Sequence, residues 1–222
     1  MSAKVQRLRL SYARGHELQY VSHLDMLRFW ERTLRRAHAP VAYSEGFTPH
    51  PQINLGPPLA VGQTGRAELI DVFLAEAWTP ERFRDALAPQ LPPGLSLARV
   101  AEAPLEEPSL QSQLRAAEYE LQLQPGADLG AIEQRIAAFL AAETFPWEHV
   151  REKETRRYDL RPLVLDLRLE RRADGPVLTA RLRAEEGATA RPDQLAAALG
   201  IAAALRHIER AALILAAPVA RR

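Results

Sequence analysis

With 222 residues, the chain is long enough for one large domain or two of ~100 residues each. An apolar share of 47% and a charged share of 26% are those of a globular protein, which excludes wholesale disorder, and the lack of cysteine excludes disulfides, thiolate zinc sites and cysteine-ligated iron–sulfur clusters. No apolar run approaches the ~20 residues that span a bilayer, and residues 1–10 lack the apolar stretch of a secretory signal, so a cytoplasmic protein with no membrane association is the expectation.

Along the chain, residues 4–12 alternate. Leu8, Leu10 and Tyr12 face one way and Arg7, Arg9 and Ser11 the other, which predicts a half-buried strand. Ser22 is a suitable N-cap for the helix that follows, and Asp25 favours its positive end. Met26, Leu27, Trp30, Leu34 and Ala37 repeat at helical spacing, and the helix stops before Pro40. Arg28, Arg32, Arg35 and Arg36 fall on another arc, either as a solvated face or as an anion-facing ridge. Residues 41–65 form a connection shaped by Pro and Gly. A strand over 67–74, a helix capped by Thr79 with Pro80 in its first turn, and a strand over 95–100 complete the first half.

Residues 106–113 read as a linker. The second half repeats the order: a strand over 119–124, a helix over 129–142 capped by Asp128, and a strand over 147–169 interrupted by the charged stretch 151–157. After the Asp174-Gly175 turn come a strand over 177–183, a helix over 192–199 ended by Gly200, and a last strand over 208–215. The expected fold is therefore α+β, with two tandem ferredoxin-like (βαββαβ-type) units with antiparallel sheets, residues 1–105 and 114–222.

A formal net charge of +1 hides an uneven distribution. Residues 1–66 carry nine cationic and four acidic side chains, residues 67–150 five and fourteen, and residues 151–222 fifteen and ten. Two basic ends flank an acidic middle, which leaves two readings open: a basic face, or charges that average out on folding. All the cationic residues except Lys4 and Lys153 are Arg. A GC-rich genome accounts for that bias. Phosphate recognition does too, because the guanidinium fork suits it better than an ammonium.

The run Tyr20-Val21-Ser22-His23-Leu24-Asp25-Met26-Leu27-Arg28, followed by Arg35-Arg36-Ala37 and Tyr43-Ser44-Glu45-Gly46-Phe47-Thr48-Pro49-His50-Pro51, resembles the bacterial radical-SAM-associated domain family of unknown function. Pro58-Leu59-Ala60-Val61-Gly62, Asp159-Leu160-Arg161-Pro162-Leu163-Val164 and Arg191-Pro192-Asp193 also fit. Thr48 stands where the family usually has Asn, and Gln63-Thr64-Gly65 replaces a more acidic stretch. Family members occur as separate chains or fused behind a radical SAM enzyme domain, often encoded near a ribonuclease of the E/G type. The resemblance implies a radical SAM enzyme on a separate chain as partner and points to RNA, but it carries no activity with it.

A radical SAM centre needs three closely spaced cysteines, so cluster chemistry belongs to another polypeptide. No dinucleotide fingerprint, Walker loop or serine-hydrolase elbow is present, and none of the six histidines forms a short metal-ligand pair, so no cofactor and no metal are expected. If the 43–51 loop folds back on the first helix, Ser22, His23, Ser44 and His50 line one anion pocket, with Arg28 and Arg32 at its edge and Glu45 beside it. The competing explanation is local: Ser22 and His23 cap the helix, and Pro49 and Pro51 shape a turn. Arg161 and Arg191 complete the candidate anion- or substrate-binding set, with Arg161 and Asp159 alternatively forming a structural ion pair. The expected function is a non-catalytic accessory or substrate-recognition protein for a radical SAM enzyme, binding RNA or another phosphorylated substrate. The alternative is a metal-independent RNA-processing endoribonuclease on tandem ferredoxin-like domains.

Overall fold

The computed structural model describes residues 3–151 and 154–216. Glu152 and Lys153 of the charged stretch, and residues 217–222 of the basic C-terminal segment, lie outside the described residues. The chain forms two compact units, Met1–Gln113 and Leu114–Arg222.

The first unit contains, in order, β1 (Gln6–Arg14), α1 (His23–Arg36), β2 (Ile53–Leu55), β3 (Thr64–Leu74), α2 (Pro80–Leu87), β4 (Leu95–Ala103) and a single turn, α3 (Leu110–Gln113). Its strands lie in the order β4-β1-β3-β2, with each of these pairings antiparallel. The alternation in β1 places Leu8, Leu10 and Tyr12 in the core, where they meet Met26, Trp30 and Leu34 of α1 and Phe83 and Leu87 of α2. Trp30 is fully buried, edge-on to Tyr12 with ring centroids 5.0 Å apart. Both helices start on side-chain caps: Ser22 Oγ accepts from Asp25 N and Thr79 Oγ1 from Arg82 N, each at 3.2 Å.

The opposite face of β1 is covered as well, which the alternation did not predict. Arg7 is buried, and its guanidinium donates to Asp71 Oδ2, to the carbonyl of Glu107 at 2.6 Å and to that of Pro108 at 3.0 Å. Arg9 donates to both oxygens of Asp71, from Nε at 2.8 Å and Nη2 at 3.1 Å. Asp71 thus bridges two arginines, Glu107 adds a second carboxylate 3.3 Å from Arg9, and Arg7 fastens the segment after β4 across the sheet. That segment, which leads into the expected linker over 106–113, is held by the backbone carbonyls it offers to Arg7. Phe73, the cross-strand partner of Arg7, is also buried, with Lys4 Nζ 4.5 Å and Arg7 Cζ 5.4 Å from the ring centroid.

The second unit contains β5 (Leu114–Leu123), α4 (Leu129–Ala141), β6 (Pro146–Arg151), β7 (Glu154–Asp159), β8 (Val164–Arg172), β9 (Gly175–Glu185), β10 (Ala188–Thr189), α5 (Pro192–Ala198) and β11 (Leu205–Leu215). The main sheet has the order β11-β5-β9-β8, again antiparallel, with β10 on the end of β9. Leu121, Leu178 and Leu182 from the sheet pack on Ile132, Ile136 and Phe139 of α4 and Leu195 of α5. The expected strand over 147–169 is three pieces: β6 and β7 form a separate hairpin, a 3-10 turn follows at Arg161–Leu163, and only β8 joins the main sheet. Each unit is a mixture of α and β structure on an antiparallel sheet. No helix among the described residues is long and apolar enough to cross a membrane.

Candidate anion-binding site

The hairpin is closed at its base by Asp159. Its Oδ1 accepts from Phe145 N at 2.7 Å and Arg161 N at 3.0 Å, and Leu160 N donates to Phe145 O at 2.9 Å. Short side-chain-to-backbone bonds of this kind favour a turn over a continuing strand. No ion pair forms between Asp159 and Arg161. The Arg161 guanidinium instead donates to Val164 O at 3.1 Å and Leu140 O at 3.2 Å and lies 5.8 Å from the Phe139 ring centroid. Arg161, expected as a ligand contact, serves as a clamp between α4 and the start of β8.

Beyond the clamp, the hairpin and the start of α5 enclose a cleft of about 470 Å³, within the usual range for ligand sites. Cross-strand pairing sets His149 opposite Arg156, Glu148 opposite Arg157 and Trp147 opposite Tyr158. His149, Arg156, Arg157 and Tyr158 line the cleft from the hairpin, and Arg191 and Gln194 from the helix side. Pro192 at the first helical position fixes the start of α5 and leaves Arg191 extended at its cap, φ −114° and ψ 141°.

Two of these arginines have a common arrangement. Arg157 Nε donates to Glu148 Oε2 at 3.2 Å, and Arg191 Nε to Asp193 Oδ1 at 3.0 Å. In each, the carboxylate holds the guanidinium by its inner nitrogen, and the outer Nη groups have no partner among the described residues. An anion can therefore approach the open fork and accept two charge-assisted bonds. The Tyr158 hydroxyl donates to Gln194 Oε1 at 2.6 Å. Burial raises the Tyr158 pKa above its ordinary value, Asp193 adds to the rise, and Arg191 opposes it.

The expected pocket around the first helix does not form. Ser22 hydrogen-bonds with Asp25, and Asp25 in turn sits 3.5 Å from Arg28. Arg28 and Arg32 stand exposed on the outer side of α1. His23 begins the helix near the end of β1, where Arg14 donates to the carbonyls of Leu18 and Val21. The 43–51 loop is tied to the other end of the sheet: Ser44 and His50 exchange two hydrogen bonds of 2.9 Å, and Ala42 N donates to Phe73 O. Phe73 pairs with Arg7 while Gly65 pairs with Arg14, a separation of roughly 23 Å along β1. A ribonuclease built jointly on His23 and His50 thus has no common centre. The loop does border a larger cleft, about 990 Å³, but its charged lining is one cation, Lys4, and one carboxylate, Glu45.

Sequence reasoning missed His149, Trp147, Tyr158 and Gln194. The available signal was alternation on both sides of the charged stretch, which marks a hairpin rather than one interrupted strand. Among the described residues no three His, Asp or Glu side chains gather as metal ligands.

Fold and cleft together describe a two-unit antiparallel α/β protein with an arginine-lined recess in its second unit. The chain belongs to the family described as "Uncharacterized protein conserved in bacteria (DUF2344)", whose family model matches residues 7–192. No curated protein matches it. Among solved structures it is similar to "Crystal Structure of a Cbf5-Nop10-Gar1 Complex", at 10% identity and a TM-score of 0.49, over 95% of this chain and 49% of that one. The chain therefore spans about half the length of that protein.

Proposed function

We propose that this protein is a non-catalytic recognition module that binds RNA or another phosphorylated substrate in the second-unit cleft and works with a radical SAM enzyme carried on a separate chain. The observation that carries the ligand class is the pair of open guanidinium forks, Arg157 and Arg191, bordering one recess with His149 and Arg156. The partner class rests on the motif resemblance and on the absence of any cysteine to hold a cluster. We further infer that both units are ferredoxin-like. Each has a βαββαβ core order and places its fourth core strand beside the first, and the β6–β7 hairpin is an insertion in the second.

The test is binding of a structured RNA across a salt series, together with co-purification of a radical SAM protein from the native cell. Binding that weakens steeply with salt is expected. Arg157→Ala and Arg191→Ala should each lower affinity and reduce the salt slope by about one. Failure to bind RNA and the enzyme alike at low salt would overturn the proposal, and RNA cleavage by the purified protein would replace it with the nuclease alternative.

A further inference from the structure

Behind the cleft, the hairpin carries a second recess of about 560 Å³. Its lining brings Pro146, Trp147 and Tyr158 together with the polar Thr144, Glu148, Arg157 and Asp159. The two recesses share Arg157, Tyr158 and Asp159 of β7, so they adjoin along one strand.

Trp147 is held as a rigid platform. Its ring lies 6.5 Å from that of Phe145 at an interplanar angle of 30°, and Phe145 lies 5.0 Å from Phe139 in the core. The indole is thus braced from behind yet only partly buried, and it lines the recess. Its Nε1–H is buried and has no acceptor among the described residues. A flat aromatic partner suits such a surface.

We infer that the second recess takes an unpaired base of a single-stranded nucleic acid whose backbone phosphate lies on the Arg157 and Arg191 forks. The inference rests on the phosphate assignment of the neighbouring cleft and adds a base-stacking site to it. Aromatic surface and open guanidinium within one strand of each other match the repeat of a nucleotide, which alternates flat base and charged phosphate. Stacking on Trp147 accepts any base face, so recognition is for strandedness rather than for sequence. A duplex keeps its bases stacked inside and offers only phosphates.

The test compares a single-stranded RNA oligomer with an abasic oligomer of the same length and phosphate count, using the full chain labelled with 5-fluorotryptophan. The three tryptophans, Trp30, Trp78 and Trp147, give separate fluorine resonances, and Trp147→Phe assigns the third. The base-bearing oligomer should bind ~10-fold tighter than the abasic one, and only it should move the Trp147 resonance. Trp147→Ala should reduce the affinity for RNA to that for the abasic oligomer. The fluorine readout on the otherwise unaltered chain stands if this variant fails to fold. Equal affinity for both oligomers, or a base-dependent gain that leaves the Trp147 resonance unmoved, overturns the base site while the phosphate cleft stands. No binding of either oligomer at low salt overturns the phosphate cleft itself.

Discussion

Asp71 illustrates how a single residue can decide what a strand face does. It is fully buried and pairs with both Arg7 and Arg9, of which only Arg9 has a second carboxylate, Glu107, at 3.3 Å. The Arg9 pKa is affected most by burial, which lowers it, yet the hydrogen bonds and charges of Asp71 and, less strongly, Glu107 win and the net direction is upward. Asp71→Ala leaves the buried Arg7 without a counter-charge and Arg9 with Glu107 alone, and a loss of about 3–5 kcal/mol is expected in urea unfolding. Tyr158 gives a pH-dependent counterpart in the second unit. Its folded-state pKa is raised above the ordinary 10.0, so the folded state holds the phenolic proton more tightly than the unfolded chain. The stability this contributes is complete below pH ~10 and is lost as pH rises through the folded value. The urea midpoint of the wild type should therefore fall more steeply with pH above ~10 than that of Tyr158→Phe.

Among elements, the helices were the most legible, because capping and periodicity are local. Ser22, Thr79 and Asp128 each accept a backbone N–H at the start of the helix they precede. Ser22→Ala should cost ~1 kcal/mol in chemical unfolding while leaving RNA affinity unchanged, since its hydroxyl serves α1 and not the cleft. Gly200 ends α5 with a positive φ of 64°, where an added Cβ meets Arg135 Nη1 at 3.1 Å. Gly200→Ala should destabilise by about 1 kcal/mol, read as a lowered melting temperature. The β6–β7 hairpin was not legible as a hairpin. Val164, Leu167 and Leu169 continue an apolar pattern in β8, and what separates them from the hairpin is the Asp159 turn and the Arg161 clamp. Both depend on partners at Phe145 and Leu140, far back in the chain.

On the scale of the whole molecule, the uneven charge along the sequence is largely resolved by pairing within each unit. In the first, Asp71 and Glu107 from the acidic middle take up Arg7 and Arg9. In the second, Glu118 pairs with Arg181 at 2.7 Å, Glu120 with Arg172 at 2.9 Å and Glu133 with Arg171 at 3.3 Å. The Arg172 pKa is raised chiefly by its hydrogen bonds to Glu120 and Glu170. Exposed pairs of this type add little stability, but they occupy the guanidinium donors. Arg181→Ala should accordingly change RNA affinity less than ~2-fold, whereas Arg191→Ala, which removes an open fork, should weaken it clearly in the same salt titration.

By itself the sequence determined what is local or compositional. The alternation of β1, the capped helices and the closing Gly200 follow from side-chain period and backbone preference, and the lack of cysteine removes any cluster of the chain's own. Only the tertiary structure decided which cations are open. Guanidinium groups are neutralised by carboxylates 64 and 52 residues away, as in Arg7–Asp71 and Arg172–Glu120, and no nearest-neighbour pattern encodes those meetings. The same folding set His23 and His50 toward opposite ends of one sheet and brought Trp147, Tyr158 and Arg191 around one hairpin, because strand pairing, not spacing along the chain, fixes which side chains share a surface.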